Sequence, residues 1–242
     1  MTTDILTERS GPRDFAQGFK DSLPIVIAAA PFGVLFGALA VDNGFTVFEA
    51  VLMSATIFAG ASQMVGIDLF GQKVAPWLIV LSIFAVNFRH VLYSATTGRR
   101  IAHWNPLQRL FGFFMLVDPI FAEAERRGER IGTVTFGWYA GAALPVYVFW
   151  VVEGWIGALF GKVMPEPEPL GIDFLLPIYF LGLVMGFRKR PFWLPVVAVS
   201  ALASIIAYRT IGSPWHVSIG AAAGVLLAAA FAPAARQEGA DR

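Results

Sequence analysis

Two apolar runs in this chain are broken at mid-length by residues that an ordinary membrane helix does not need. The first, over residues 47–70, carries Gly60-Ala61-Ser62-Gln63; the second, over 107–124, carries Asp118-Pro119. In hydrocarbon every backbone N–H and C=O must be satisfied within the protein, so spanning segments are helices or closed barrels. A break is tolerated there only where protein or a water-filled cavity surrounds it. The two breaks therefore predict half-length helices that end inside a membrane bundle.

Six further apolar runs, at 23–41, 76–97, 133–152, 172–187, 192–208 and 215–231, approach or reach the roughly 17–25 residues that span a bilayer. The composition agrees: 57% of residues are hydrophobic, 14% are charged, and the mean hydropathy is +0.65. Soluble domains carry about 25% charged residues. The expected fold class is an all-α integral membrane protein, a helical bundle of about six full spans plus two broken, re-entrant segments. Eight spans is the alternative. Residues 1–242 read as a single transmembrane domain, with 1–21 an N-terminal segment and 233–242 a tail. The first run resembles a secretory signal, with Arg13 and Lys20 before it and Ala38-Leu39-Ala40 near its end. Its Pro24, Pro31, Gly33 and Gly37, and the membranous sequence that follows, mark it instead as a retained helix.

Charge placement sets the expected orientation. Lys and Arg favour the cytoplasmic side, and they cluster at Arg9/Arg13/Lys20, Arg99/Arg100/Arg109, Arg126/Arg127/Arg130, Arg188/Lys189/Arg190 and Arg236/Arg242. With both broken segments re-entrant, every cluster falls inside; with both spanning, Arg99 and Arg100 fall outside. Either way both termini are cytoplasmic. The proline-flanked loop with Glu166 and Glu168 then faces outward. A net charge of +1 argues against a nucleic-acid partner. The absence of cysteine excludes thiol chemistry, and His90, His103 and His216 show no metal-ligand spacing, so no metal or cofactor is expected. The chain contains no P-loop of an ATPase.

The broken runs carry the first candidate chemistry. Gly60 permits a break, and Ser62 is suited to cap a half-helix that starts at Gln63. Asp118 is suited to the same role, with Pro119 at the first helical position. Half-helix N-termini expose free N–H groups and a positive dipole end that hold carboxylates. The bland alternatives are a close helix contact through small residues for the first and a cytoplasmic turn for the second.

The run 76–97 carries the rest. Asn87, His90, Ser94 and Thr97 fall on one helical stripe, with Ser82, Arg89, Tyr93 and Thr96 beside it, while Phe84, Phe88, Val91, Leu92 and Ala95 face away. A charged residue at mid-membrane costs about 2.5–3.5 kcal/mol on insertion scales and marks a pathway or a buried pair. Arg89 is expected to meet an acceptor such as Asp118 rather than snorkel to the interface. Trp77, Trp104, Trp138, Trp155, Trp193 and Trp215 read as an interfacial aromatic belt. Phe58, Met64 and Met115 are the candidate lining of an apolar pocket.

The stretches "GFKDSLPIVIAAAPFG", "AGASQ", "NFRHVLY" and "DPIFAEA" resemble, in order and spacing, those of AzlC-type branched-chain amino-acid permeases. The resemblance runs from about Gly18 to the last span, and beyond Ala124 it rests on hydropathy. It implies the large subunit of a two-component bacterial inner-membrane exporter of valine, leucine, isoleucine and sometimes methionine, working with a small AzlD-type membrane subunit. The motif positions it carries over are Asp21, Ser22, Pro24, Gly60, Ser62, Gln63, Arg89, His90, Tyr93 and Asp118. Where the family commonly has a glutamate after the aspartate, this chain has Pro119. The expected pathway residues are thus Gly60, Ser62, Gln63, Asn87, Arg89, His90, Tyr93 and Asp118, with no catalytic residue. Two other classes stand beside transport: an intramembrane enzyme using Ser62, His90 and Asp118, and a structural membrane subunit with no pathway.

Overall fold

The computed structural model describes residues 12–160, 181–182, 184–185, 187–212 and 215–231. They fall into two compact units, Met1–Leu183 and Val184–Arg242. In chain order the first unit contains α1 (Pro12–Asp42), α2 (Val47–Ile57), α3 (Gly60–Gly71), α4 (Pro76–Asn87), α5 (Arg89–Arg100), α6 (Pro106–Phe114), α7 (Asp118–Ile131) and α8 (Phe136–Phe160). The second contains α9 (Trp193–Thr210) and α10 (Trp215–Phe231). The loop with Glu166 and Glu168, the tail at 233–242 and most of the run 172–187 lie outside the described residues.

The spine of the first unit is α1 against α8. At 31 residues, α1 is about 46 Å long, enough to cross a bilayer with a turn or more to spare at each end. The two helices run parallel: Gly18 meets Trp138, Gly33 meets Glu153, and Gly37 meets Gly154. Their backbones touch. A Cβ on Gly37 would lie 2.0 Å from the Gly154 carbonyl oxygen, and one on Gly157 would lie 1.9 Å from that of Val34. Small residues allow such contact in membranes, where dispersion replaces the hydrophobic effect as the driving force.

Each broken run folds into a hairpin. The first opens with a capping box, in which Thr46 and Glu49 satisfy each other's backbone N–H. Its 11-residue α2 covers about half a bilayer and ends at Phe58, whose φ of 44° is left-handed. The chain then returns as α3, and its far end lies where the hairpin began: the Phe45 and Phe70 rings are 4.5 Å apart, and Gly71 abuts Asn43. Segment 47–70 therefore enters and leaves at the C-terminal end of α1.

The second hairpin repeats the plan from the other end. Asn105 and Gln108 form its capping box, 59 residues after that of Thr46. After α6 and the break at Met115–Val117, α7 comes back to the entrance. There the Trp104 indole donates to the Val134 carbonyl at 2.9 Å, and Arg100 donates to that of Gly128 at 2.9 Å. Arg127 ties this end to the start of α1 through Asp14, at 2.7 Å. Two hairpins inserted from opposite ends of one long helix form an inverted repeat. Both broken runs thus re-enter rather than span, as the re-entrant account expects, and the described residues hold four helices long and apolar enough to cross a membrane.

Between the hairpins, α4 and α5 make a nearly continuous helix of 25 residues. A single turn residue, Phe88, separates them, and its helical φ and ψ keep the direction. The expected outward face is exposed, with Phe84 and Val91 at 66% and 57%, as suits contact with lipid.

Three local expectations are corrected. Neither Ser62 nor Asp118 caps a helix; Ala59 and Val117 hold those positions without side-chain bonds. Both side chains are drawn instead to partners on the α4–α5 rod. Trp104 and Trp138 do not belong to an interfacial belt, because both are buried and donate inward, Trp138 to Asp21 at 2.8 Å.

In the second unit α9 and α10 form an antiparallel pair, with Gly220 and Gly224 packed on Ser204 and Ser200.

Candidate functional site

The tips of the two hairpins line one pocket, with about 540 Å³ of empty space when its open mouth is counted. Phe58, Gly60 and Ala61 come from the first tip, and Val117, Asp118 and Pro119 from the second. Ala29 and Phe32 of α1 and Val146 and Trp150 of α8 supply apolar walls.

The first tip is built from neutral groups. The N–H groups of Gly60, Ala61 and Ser62 occupy the first turn of α3, where no intrahelical acceptor exists. They form the positive end of the helix dipole. Behind them Gln63 is fully buried and fixes the break from two sides. Its Oε1 accepts from the Ala59 N–H at 3.2 Å and from the Trp150 indole at 3.1 Å. Its amide nitrogen lies 3.4 Å from the Ser54 hydroxyl. From α8, Tyr147 donates to the Ala55 carbonyl at 2.9 Å, which satisfies an end group of α2. A left-handed phenylalanine at Phe58 is strained by about 1–3 kcal/mol and persists because these contacts over-determine the turn.

The second tip is charged. Asp118 pairs with Arg89 at 3.1 Å and accepts from the Tyr93 hydroxyl at 2.8 Å. Tyr93 stacks on Phe121 at 4.2 Å, so its hydroxyl is held in place. Pro119 carries no N–H, and the start of α7 offers one donor fewer than that of α3.

The eight residues expected on the pathway occupy one region but different depths. Gly60 and Asp118 reach the cavity wall. Gln63 lies behind Trp150, Arg89 and Tyr93 lie behind Asp118, and Ser62 donates its hydroxyl hydrogen to the Asn87 amide oxygen. The His90 ring faces Tyr93 edge-on at 5.5 Å, and its Nδ1 lies 3.2 Å from the Asn87 carbonyl oxygen. Ser62 and His90 share no hydrogen bond, and Asp118 turns to Arg89 and Tyr93, so the three do not form a nucleophile–base–orienter chain. Of the expected apolar lining only Phe58 faces the cavity. Phe32, Val146 and Trp150 also line the pocket, and in continuous apolar runs the sequence carries no sign of which way such side chains point. Asp21 and Ser22 serve packing, Asp21 through Trp138 and Ser22 through the Phe19 carbonyl.

The fold and cavity define a polytopic helical membrane protein with a central site between inverted hairpins. Over residues 24–164 it matches the family described as AzlC protein, and the chain belongs to that family. It is 32% identical over 210 residues to the inner membrane protein YgaZ of Escherichia coli strain K12, covering 82% of this chain and 84% of that one. To the branched-chain amino acid transport protein AzlC of Bacillus subtilis strain 168 it is 23% identical over 175 residues, 69% of this chain and 65% of that one. No solved structure matches the chain.

Proposed function

We propose that this protein transports branched-chain and similar apolar L-amino acids, in the direction of export, as the large subunit of a pair with a small AzlD-type membrane protein. The carrying observation is the polarity of the cavity. An uncharged helix N-terminus and the carboxylate of Asp118 stand on its two tips, over walls of Phe32, Phe58, Val146 and Trp150. A zwitterion fits that division: its carboxylate goes to the N–H groups of Gly60–Ser62 and its ammonium to Asp118. An aliphatic side chain lies on the apolar wall. Such a wall discriminates softly, by about 1–3 kcal/mol per methylene, which suits a carrier of several related substrates. Gln63, Asn87, Arg89, His90 and Tyr93 support these groups rather than touch the substrate, and no residue is assigned a catalytic role.

The whole chain, 1–242, acts as one transporter domain in the bacterial inner membrane. The basic face that joins Asp14, Arg100 and Arg127 is cytoplasmic by the positive-inside rule, as are the segment 1–21 and the tail 233–242. The test is accumulation in cells that lack their own exporter. Fed with valine- or leucine-containing dipeptides, cells with this protein and its small partner hold less free amino acid. Equal accumulation with and without the pair, at confirmed membrane expression, removes the exporter reading; an effect on lysine or glutamate alone removes the apolar cavity as its basis.

A further inference from the structure

One buried acid plays no part in the site described above. Glu153 lies on α8 three residues beyond Trp150, about 4.5 Å further along the axis. It is 7% exposed and has no hydrogen bond or ion pair among the described residues. Its side chain fills the space left by Gly33, where a Cβ would lie 2.6 Å from Oε2. Gly33 directly follows Phe32, a cavity wall residue. The next residue of α8, Gly154, lies against the Ser54 hydroxyl that neighbours Gln63. The acid is thus one turn behind the cavity, within the packing that positions the first tip.

Among the described residues, no cation faces Glu153 from any element packed on α8. The charges of α1 are at its ends, at Arg13, Asp14, Lys20, Asp21 and Asp42. The only titratable group of α2 is Glu49, bound to Thr46, and that of α3 is Asp68, bound to Gln72. In α6, Arg109 is turned to the Trp104 carbonyl. In α7, Asp118 is held by Arg89, and the charges over 123–130 belong to the end where α1 starts. On α8 itself Tyr139 and Tyr147 donate to the carbonyls of Gly112 and Ala55. An ionised carboxylate in such a place is far costlier than a neutral one, and intramembrane acids of this kind serve proton relays.

We infer that Glu153 is a proton-binding site coupled to the cavity: it carries a proton while dry and releases it when water or a cation reaches the Gly33 notch. The assignment rests on the transport reading. In the release step the O–H bond of the carboxylic acid breaks, the proton passes to a water admitted from the cavity, and the electron pair stays on the carboxylate. Asp118 is unsuited to this role, because Arg89 and Tyr93 already hold its carboxylate.

Two readouts on the full chain, reconstituted with its small partner in proteoliposomes, test it. In infrared difference spectra between acidic and alkaline buffer, the wild type shows a carboxylic-acid C=O band that is lost on alkalinisation, and Glu153→Gln lacks that band. Gly33→Ala, which crowds the carboxyl group, moves the band or its titration. In valine transport Glu153→Gln keeps exchange of internal for external valine, while net movement driven by an imposed pH gradient falls about tenfold or more. A band that persists in Glu153→Gln, or one unmoved by Gly33→Ala, overturns the inference; so does net proton-driven transport equal to that of the wild type at equal protein level. A wild type that moves no valine under any gradient removes the transport reading instead, and the infrared titration still decides on Glu153.

Discussion

The two hairpins share a backbone plan and differ in chemistry. Each opens on a capping box, descends as a half-helix, breaks, and returns as a second helix whose N-terminus adjoins the cavity. At the first tip the polar side chains turn away: Ser62 to Asn87, Gln63 to Ala59 and Trp150. The backbone N–H groups of the first turn of α3 are left at the pocket. At the second tip Pro119 removes a donor and Asp118 adds a negative charge, held by Arg89 and Tyr93. On the proposed reading, one device yields an end for the substrate's carboxylate and an end for its ammonium, which the inverted repeat brings to one pocket. The difference resides in a few side chains and not in the path of the chain.

The sharpest way to break the comparison is to ask whether the hairpins enter from opposite sides, since that outcome is all or none. The chain has no cysteine, so single cysteines can be placed freely. Lys73 and Arg99 are both exposed, one after the exit of the first hairpin and one before the entrance of the second. Lys73→Cys and Arg99→Cys are expected to react with an impermeant thiol reagent from opposite faces of the membrane. Labelling of both from one side would undo the inverted arrangement.

The next largest effect separates the charged tip from the neutral one. Asp118→Asn removes the counter-charge that faces Arg89, and breaking such a part-buried pair costs up to about 3 kcal/mol. Transport is expected to fall about 100-fold or more, with lower protein in the membrane. The double variant Arg89→Leu/Asp118→Leu should regain protein level without regaining transport. Arg89→Lys keeps the charge but not the planar fork and should fall between the two. Ser62→Ala removes one neutral hydrogen bond, worth about 1 kcal/mol, and should reduce transport about fivefold. Equal losses for Asp118→Asn and Ser62→Ala would mean that the tips do not differ as their charges suggest.

Between these lies steric access to the neutral tip. A Cβ on Gly60 would lie 2.8 Å from Cη2 of Trp150, and the indole cannot yield freely because its N–H is bound to Gln63. Gly60→Ala should therefore weaken binding by about 1–3 kcal/mol, with leucine affected more than valine. Pro119→Ala at the matching position of the other tip adds a donor and should change little. Competition between the two amino acids in a transport assay reads both variants.

Much of this contrast was legible in the sequence, and the limits have physical causes. Two polar interruptions in apolar runs signal broken helices because lipid offers no other way to satisfy the backbone. Arg89 beside a polar stripe signals a partner for the same reason, and Asp118 is that partner. Ser62 and Asp118 have good capping chemistry, yet their cross-bundle partners Asn87 and Tyr93 outcompete the local bond. The walls could not be read: Phe32, Val146 and Trp150 sit in apolar runs without a polar face to set their direction. Glu153 directly follows the run 133–152, where the sequence carries no sign of its depth, and the Gly33 contact places it inside.

The smallest effect concerns what the hairpins share. Thr46 accepts from the Glu49 N–H at 3.2 Å, and Asn105 accepts from that of Gln108 at 2.9 Å. In both boxes the longer side chain returns to the N-cap backbone, Glu49 at 2.8 Å and Gln108 at 3.1 Å. Loss of such a cap costs about 1 kcal/mol whichever helix carries it. Thr46→Ala and Asn105→Ala should each lower the thermal stability of the detergent-solubilised protein by a similar small amount, with transport nearly unchanged when normalised to protein level. Equal shifts are what a shared backbone plan requires, since the caps lie at the open ends of the hairpins and away from the charged pair. A cap loss that abolishes transport in one hairpin and is silent in the other would show that entrance and tip are coupled there. The two hairpins would then differ in mechanics as well as in charge.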